Sequence, residues 1–261
     1  MYAFEFDRPA TVAEAVAALA AEDAQALAGG QTLIPTLKQR LASPSRLVSL
    51  SGIADMKGVS TKDGVLTIGG GTSHARVAAE AEAYPALAAM AGRIGDPAVR
   101  NRGTIGGSLA NNDPAADYPA AALASGATIV TDRREIAADD YFQGLFTTAL
   151  EEGELITAVR FPVPQAANYQ KFEQPASRFA LTGVFVAQTA DGVRVAVTGA
   201  SEDGVFRWKD AEAALSEDFS EGAVKDLTIA PDSMIADLHG SKQYRAHLVK
   251  TMTVRAVRAA S

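Results

Sequence analysis

Two glycine-rich turns constrain the fold of this chain more than any other sequence feature. The first, Ala-Gly-Gly-Gln-Thr-Leu at 28–33, follows a short apolar stretch typical of a buried strand and precedes a stretch, 33–41, with apolar residues at helical spacing. Gly29 and Gly30 can adopt positive φ and bring main-chain N–H groups close to a ligand, and the helix start adds free donors. The turn predicts a phosphate-binding site. Because the turn contains no lysine, the phosphate would be bound by backbone amides. An ordinary connecting turn is the alternative.

The second turn is Thr-Ile-Gly-Gly-Ser at 104–108, within a segment rich in glycine and short polar side chains. Such a segment is too polar and flexible for a core, and it therefore indicates a ligand. The hydroxyl groups of Thr104 and Ser108 can donate hydrogen bonds, and Asp117 can accept them from a sugar. Neither turn matches the dinucleotide fingerprint G-x-G-x-x-G or the P-loop pattern. A third glycine turn, 69–74, has a simpler explanation as a strand end followed by a helix cap.

Composition limits the classes of function. The chain has 261 residues, of which 48% are hydrophobic and 21% charged, and it is long enough for two compact lobes. Its net charge of −7 argues against nucleic acid or an anionic membrane as the main partner. Because no apolar run approaches ~20 residues and the N-terminus lacks the features of a signal peptide, we expect a cytoplasmic protein without membrane insertion.

The absence of cysteine narrows the chemistry further. A chain without cysteine cannot form disulfides, thiol nucleophiles, iron–sulfur clusters or cysteine-ligated zinc. Its three histidines, His74, His239 and His247, are far apart in sequence, so no metal site is predicted. No Ser-His-Asp arrangement or acid pair is evident, and we assign no catalytic residue. Redox chemistry in this chain would require a bound organic cofactor, and a flavin fits.

Two prolines in the stretch 161–165 mark the clearest domain boundary. Before the boundary, strands and helices alternate, and the first helix begins at a capping box at 11–14. After it, strand patterns around an Asp191-Gly192 turn predict an antiparallel sheet, followed by helices. The predicted fold class is α+β. Its expected parts are two α/β sub-lobes at about 1–52 and 53–165 and a C-terminal domain of antiparallel sheet and helices at 168–261.

The two glycine turns together resemble the FAD-contacting signatures of the flavoprotein subunit of molybdenum hydroxylases. This family includes the medium subunit of carbon monoxide dehydrogenase and the FAD domain of xanthine dehydrogenase. The order, spacing and flanks of the turns agree, and the similarity runs almost end to end. It is carried by Arg-Asn-Arg-Gly-Thr-Ile-Gly-Gly at 100–107, Asn-Asp-Pro-Ala-Ala-Asp at 112–117, Gly-Glu-Leu-Ile at 153–156, and the segments 169–180 and 239–245. The resemblance implies a PCMH-type FAD-binding domain, with FAD extended between the two sub-lobes.

The resemblance also implies roles for individual residues. Asp117 and Lys171 match polar contacts of the cofactor, although Asp117 could instead complement a helix dipole and Lys171 could be a solvated strand residue. Leu155 or Ile156 matches an apolar contact, or is an ordinary buried strand residue. Ser108 departs from the asparagine of many relatives, which should alter one hydrogen bond. The full set of implied contacts to non-covalent FAD is Ala28, Gly29, Gly30, Gln31, Thr32, Leu33, Ile34, Thr104, Gly106, Gly107, Ser108, Asp117, Leu155, Ile156 and Lys171.

The function implied by the resemblance is that of an FAD-carrying electron-transfer subunit. Electrons would come from iron–sulfur (2Fe-2S) clusters on a small partner subunit, which receives them from a molybdopterin cofactor on a large one, and would pass to NAD+, a quinone or oxygen. The expected assembly is a dimer of heterotrimers. Two alternatives stay open: a stand-alone flavin oxidoreductase of the same superfamily, and a non-enzymatic assembly module that has lost FAD.

Several residues near the turns have more than one interpretation. Arg93, Arg100 and Arg102 form a basic cluster beside the second turn that could face phosphate, an acidic partner subunit or solvent. Trp208 could belong to the core or a subunit contact, or could stack on the flavin. His74 is more typical of a structural residue next to a helix cap than of a catalytic base.

Overall fold

The computed structural model describes residues 1–260, and its N-terminal part is a small α/β lobe. The elements of this lobe are β1 (Glu5–Asp7), α1 (Val12–Leu19), β2 (Ala24–Leu27), α2 (Leu33–Lys38) and β3 (Arg46–Ser49). The strands form a parallel sheet in the order β1-β3-β2. Helix α1 begins at the predicted capping box, in which Thr11 Oγ1 accepts a hydrogen bond from the N–H of Glu14 and the Glu14 carboxylate accepts one from the N–H of Thr11.

The second lobe is built on a five-stranded antiparallel sheet. Its strands are β4 (Val59–Lys62), β5 (Val65–Gly69), β6 (Thr128–Thr131), β7 (Glu135–Ala137) and, after the small hairpin β8 (Phe142–Gly144) and β9 (Thr147–Thr148), β10 (Ile156–Pro162). Their order in the sheet is β4-β5-β10-β6-β7. Its helices are α3 (His74–Glu80), α4 (Pro85–Gly92), α5 (Pro97–Arg102), α6 (Ile105–Asn111), α7 (Tyr118–Ser125) and α8 (Ala138–Tyr141).

The C-terminal part is a four-stranded antiparallel sheet covered by helices. The strands, which lie in chain order, are β11 (Ala166–Glu173), β12 (Ala180–Thr189), β13 (Gly192–Thr198) and β14 (Phe206–Arg207). The helices are α9 (Lys209–Glu217), α10 (Glu221–Val224) and α11 (Lys242–Ala260). This arrangement confirms the predicted α+β fold class. None of the helices within 1–260 is both long and apolar enough to cross a membrane.

The five-stranded sheet of the second lobe and the four-stranded C-terminal sheet share one hydrophobic core. Strand β10 ends at Pro162 and β11 begins at Ala166, so the chain changes sheet within the stretch that the prolines marked. The ring of Tyr84 nevertheless packs edge-on against both Phe161 and Phe185, at centroid distances of 6.4 and 6.0 Å. Apolar residues on the two sides of the change of sheet therefore share one buried cluster. The division into separate domains stays a prediction.

Two local expectations need correction. The helix predicted over 33–41 ends at Lys38, and Arg40 has a φ of 60°, in the left-handed region that terminates helices. The segment around the second turn is an ordered helix, α6, and its Ile105 and Leu109 are fully buried. The sequence suggested a flexible loop because glycine and small polar residues have low helix propensity. Tertiary packing of the two apolar side chains overrides that propensity.

Candidate cofactor-binding site

The two glycine turns lie against each other. The carbonyl oxygen of Arg102, just before the second turn, occupies the place where a Cβ on Gly29 would lie. A Cβ on Gly107 would be 3.6 Å from the Cβ of Ala28. Only glycine permits this separation between the backbones, because any larger residue at 29 would overlap a main-chain atom. The fold thus brings together the two turns that the sequence singled out.

The first turn offers unused backbone donors. Gly30 has a φ of +73°, which supports the requirement for glycine there, whereas Gly29 is not in the positive-φ region. Within residues 1–260, the N–H groups of Gly30, Gln31 and Thr32 donate to no protein acceptor, and Thr32 forms no side-chain cap on α2. Gln31 and Thr32 are exposed, and the following Leu33 and Ile34 are half-buried. The turn can therefore donate several hydrogen bonds to an anion.

The second turn uses its own donors inside the protein. The N–H of Gly106 donates to the carbonyl of Gly70 at 2.9 Å, and the N–H of Gly107 donates to Thr104 Oγ1 at 3.1 Å. The N–H of Ser108 donates to the carbonyl of Thr104 at 2.9 Å. A Cβ on Gly106 would lie 2.6 Å from the carbonyl oxygen of Gly70. The second turn can thus offer hydroxyl groups and a close backbone approach, but few free amides.

The third glycine turn, 69–74, supports the second. The N–H of Ile105 donates to the carbonyl of Thr72 at 3.2 Å, and the N–H of His74 donates to the carbonyl of Gly103 at 3.0 Å. Burial, with a contribution from the nearby cation of Arg100, lowers the pKa of His74 to about 4, so its ring is neutral at pH 7. The ring also packs against Gly103 and, at a centroid distance of 5.3 Å, against the ring of Tyr118, as is typical of a structural residue. The sequence ranked this turn lower because a strand end and a helix cap explain it, and Ser73 does cap α3. Its contacts with the distant second turn leave no local sequence signal.

The turns line a cavity of about 350 Å³. This volume lies within the usual range of small-molecule sites. The residues of the three turns that line it are Ala28, Gly29, Gly71, Thr72, Ser73 and Thr104. A larger cavity, of about 610 Å³, lies near the segments 113–115 and 174–181 and the side chain of Arg245. Of the contacts implied by the resemblance, Ala28, Gly29 and Thr104 line the first cavity and none lines the second.

Asp117 and Lys171 form a buried ion pair, 3.0 Å apart. Asp117 also accepts a hydrogen bond from the hydroxyl of Tyr169 at 2.6 Å, and Lys171 Nζ donates to the carbonyls of Arg93 and Arg178 at 3.0 and 2.9 Å. Burial raises the pKa of Asp117, while the Lys171 ammonium opposes that rise. Lys171 is thus not a solvated lysine. Asp117 precedes α7 but makes no capping hydrogen bond. Their contact with a cofactor stays a prediction.

Ile156 is the first residue of β10 and Leu155 directly precedes it, and both are buried. The N–H of Leu155 donates to the carboxylate of Asp132 at 2.7 Å, and its carbonyl accepts from the N–H of Asp132 at 3.0 Å. The carbonyl of Ile156 packs against Gly70 so closely that a Cβ there would overlap it. Both residues therefore have structural partners, and their predicted cofactor contact stays a prediction.

The basic cluster near the second turn separates into different environments. Arg93 binds the carboxylate of Glu173 at 2.8 Å, and Arg100 donates to the carbonyls of Ile94 and Gly95 at 3.1 and 2.7 Å. Arg102 alone of the three arginines lines the cavity at the turns.

Lys57 and Arg76 also line this cavity, although the sequence analysis did not single them out. No local motif marks them, because they reach the cavity only through the packing of the turns. Trp208 lies in the core of the C-terminal part. Within residues 1–260, no three metal-ligating side chains cluster.

The sequence is similar to those of known proteins. Residues 2–164 match the family described as FAD binding domain in molybdopterin dehydrogenase. The chain is 33% identical to the carbon monoxide dehydrogenase medium chain of Afipia carboxidovorans, over 97% of this chain and 95% of that protein. It is 34% identical to the nicotine 6-hydroxylase medium subunit of Paenarthrobacter nicotinovorans, over 98% of this chain and 96% of that subunit.

Solved structures show the same similarity. A chain of carbon monoxide dehydrogenase from Hydrogenophaga pseudoflava, in a form that lacks the Mo-pyranopterin moiety, superposes with a TM-score of 0.89. It is 33% identical, and the match covers 99% of this chain and 97% of that one. A chain of quinoline 2-oxidoreductase from Pseudomonas putida 86 has a TM-score of 0.88 at 29% identity, covering 99% and 97% of the two chains.

Proposed function

This chain belongs to the family of FAD-binding domains of molybdopterin dehydrogenases, and from that premise we propose a specific path for its electrons. It is the FAD-binding subunit of a carbon monoxide dehydrogenase-like molybdenum hydroxylase, an oxidoreductase of several subunits. In the proposed path, electrons come from iron–sulfur clusters on a partner subunit and leave for NAD+, a quinone or oxygen.

The contact between the two glycine turns carries the assignment of the site. The first turn has free amides at 30–32, its backbone contacts that of the second turn, and Ala28, Gly29 and Thr104 of the two turns line one cavity. A diphosphate needs this combination of donors and space. The residues present therefore fit a dinucleotide. We propose that residues 28–34 hold its diphosphate. The phosphate and ribityl oxygens would be held by Thr104, Gly106, Gly107 and Ser108.

The bound FAD supplies the ability to accept and release electrons, which no side chain of this chain provides. The protein binds and orients the cofactor. We propose that Asp117 and Lys171 contact it as a pair, supported by the ion pair that joins them. Because both side chains are enclosed, such contact requires the backbone around Arg93 or Arg178, whose carbonyls bind Lys171, to shift. Leu155 and Ile156 are proposed as apolar contacts.

The relatives imply large and small partner subunits. We propose that the large one carries molybdopterin and that the small one carries the 2Fe-2S clusters, because this chain has no cysteine to hold them. A dimer of three-subunit units and a cytoplasmic location are parts of the same proposal.

The proposal is tested by purifying the full chain and recording its visible absorption spectrum after reconstitution with FAD. We expect flavin bands with stoichiometric FAD that is released on denaturation, because the binding is non-covalent. A colourless protein that cannot be reconstituted would contradict the proposal. Copurification with a large chain and a cysteine-rich small chain is expected for a complex subunit, whereas a stand-alone flavin enzyme would purify alone and turn over a substrate.

A further inference from the structure

The cavity at the glycine turns is positively charged in a chain that is acidic overall. Its lining includes Lys57, Arg76 and Arg102 and no aspartate or glutamate, whereas the chain as a whole has a net charge of −7. A concave surface lined by cations, with few opposing charges, attracts anions and raises their local concentration. The cavity is therefore suited to a negatively charged group.

Of the three cations that line the cavity, Arg102 has the side chain that is most available to a ligand. Its main chain is held at the junction of the turns, because its carbonyl packs on Gly29. Its exposed side chain has no hydrogen-bond or ion-pair partner within residues 1–260. In contrast, Arg76 makes a bidentate ion pair with Glu80, at 2.8 and 2.9 Å, and Lys57 Nζ donates to the carbonyl of Ser51. The guanidinium of Arg102 is thus available to a ligand.

The backbone of the second turn cannot take over the role of the Arg102 side chain as a donor to an anion. Its amides at 105–108 already donate to carbonyl or hydroxyl oxygens of the protein. The first turn contributes free amides but no cation, since 28–34 contain neither lysine nor arginine. A diphosphate bound between the turns would find no free backbone donor on the side of the second turn. Only side chains can supply donors there.

We infer that Arg102 binds the diphosphate of the dinucleotide directly, and that Lys57 and Arg76 add positive charge around the same cavity. A guanidinium suits this task because its planar fork can donate two parallel hydrogen bonds to phosphate oxygens. The inference rests on the proposed function, and it adds side chains to a site assigned so far to glycine turns and hydroxyl groups.

The test measures dissociation constants of the full chain for FAD and for ADP, which carries the diphosphate without the flavin. Arg102→Gln is expected to raise both constants about tenfold, the effect of losing one charge-assisted hydrogen-bonding contact. Added salt should weaken FAD binding to the unsubstituted chain more steeply than to this variant, because one screened contact is missing. Arg102→Lys, which keeps the charge but loses the planar fork, should have an affinity between those of the unsubstituted chain and Arg102→Gln.

Arg255→Gln is the matched control, because Arg255 is an exposed arginine of α11 outside the cavity. Its FAD affinity should not change, and melting curves should show that all variants are folded. Unchanged FAD affinity of Arg102→Gln would overturn the inference, as would a loss for FAD without a parallel loss for ADP. Failure of the unsubstituted chain to bind FAD would instead overturn the proposed function.

Discussion

Gly29 and Gly30 serve different physical purposes, although they are neighbours in one turn. Gly30 has a φ of +73°, a conformation that costs other residues energy. Gly29 has no such φ, and it is needed because the carbonyl of Arg102 occupies the space of its missing side chain. The sequence assigned positive φ to both residues. For Gly29 that reason is wrong, since the constraint comes from a segment distant in the chain.

We predict that Gly29→Ala separates the two turns and weakens FAD binding. The added Cβ would overlap a main-chain oxygen, and relieving such overpacking costs about 1–3 kcal/mol. Thermal unfolding and the FAD content of the purified chain measure both effects. The control is Gly92→Ala, whose Cβ would lie 3.8 Å from the Cβ of Ala78, an ordinary contact. Equal melting temperature and FAD content for the two variants would show that the turns are not held by this contact.

The element that organises the site is the short helix α6 together with the turn before it. Thr104 Oγ1 caps α6 by accepting the N–H of Gly107, and an isolated bridge pairs Thr104 with Ser73 of the third turn. The helix is therefore fixed at its start by its own cap and by the third turn. Rigid placement matters because a cofactor bound between two turns keeps its position only if both turns keep theirs.

We predict that Thr104→Ala destabilises the protein by about 1 kcal/mol, the usual effect of losing a threonine N-cap. It should also weaken FAD binding, since the start of α6 loses its position and the site loses a hydroxyl. Thr11→Ala is a matched control, because Thr11 caps α1 through its own hydroxyl and does not line the cavity. It should destabilise the protein similarly, as measured by urea unfolding, and leave the FAD dissociation constant unchanged. Equal FAD affinities for the two variants would contradict a specific role for Thr104.

At the scale of the whole molecule, the C-terminal sheet contributes to the core of the FAD-binding part. Phe185 of β12 is fully buried and contacts both Tyr84 and Tyr169, at ring centroid distances of 6.0 Å. Tyr169 in turn donates to Asp117 of the second lobe. Such shared packing couples the stability of the two parts, because neither can unfold without exposing apolar surface of the other.

We predict that Phe185→Ala lowers the free energy of unfolding by about 3–5 kcal/mol, as expected for a large-to-small change in a core. Trp208, the single tryptophan, lies in the C-terminal core and reports on that part by its fluorescence, while release of FAD reports on the turns. The two signals should change at the same urea concentration. As a control, Phe146→Ala, at a side chain that is 60% exposed, should change stability by less than about 0.5 kcal/mol. Two separate transitions would contradict the coupling.

The sequence alone was sufficient for features that depend on a few neighbouring residues. It determined the capping box at Thr11, the change of sheet at the prolines of 161–165 and the two glycine turns, because caps, prolines and glycines act through the local backbone. Its resemblance to the medium-subunit family rested on the same local motifs. These features were enough to predict the fold class and the cofactor.

Only the tertiary structure decided which side chains reach the cavity at the glycine turns. The sequence placed Arg93, Arg100 and Arg102 together, but the fold pairs the first with Glu173, turns the second onto main-chain carbonyls and leaves the third free. It likewise buried Lys171 against Asp117. Such outcomes depend on contacts between segments far apart in the chain, and the free energy of a charged group is set by the partners and water it meets there, which no local pattern records.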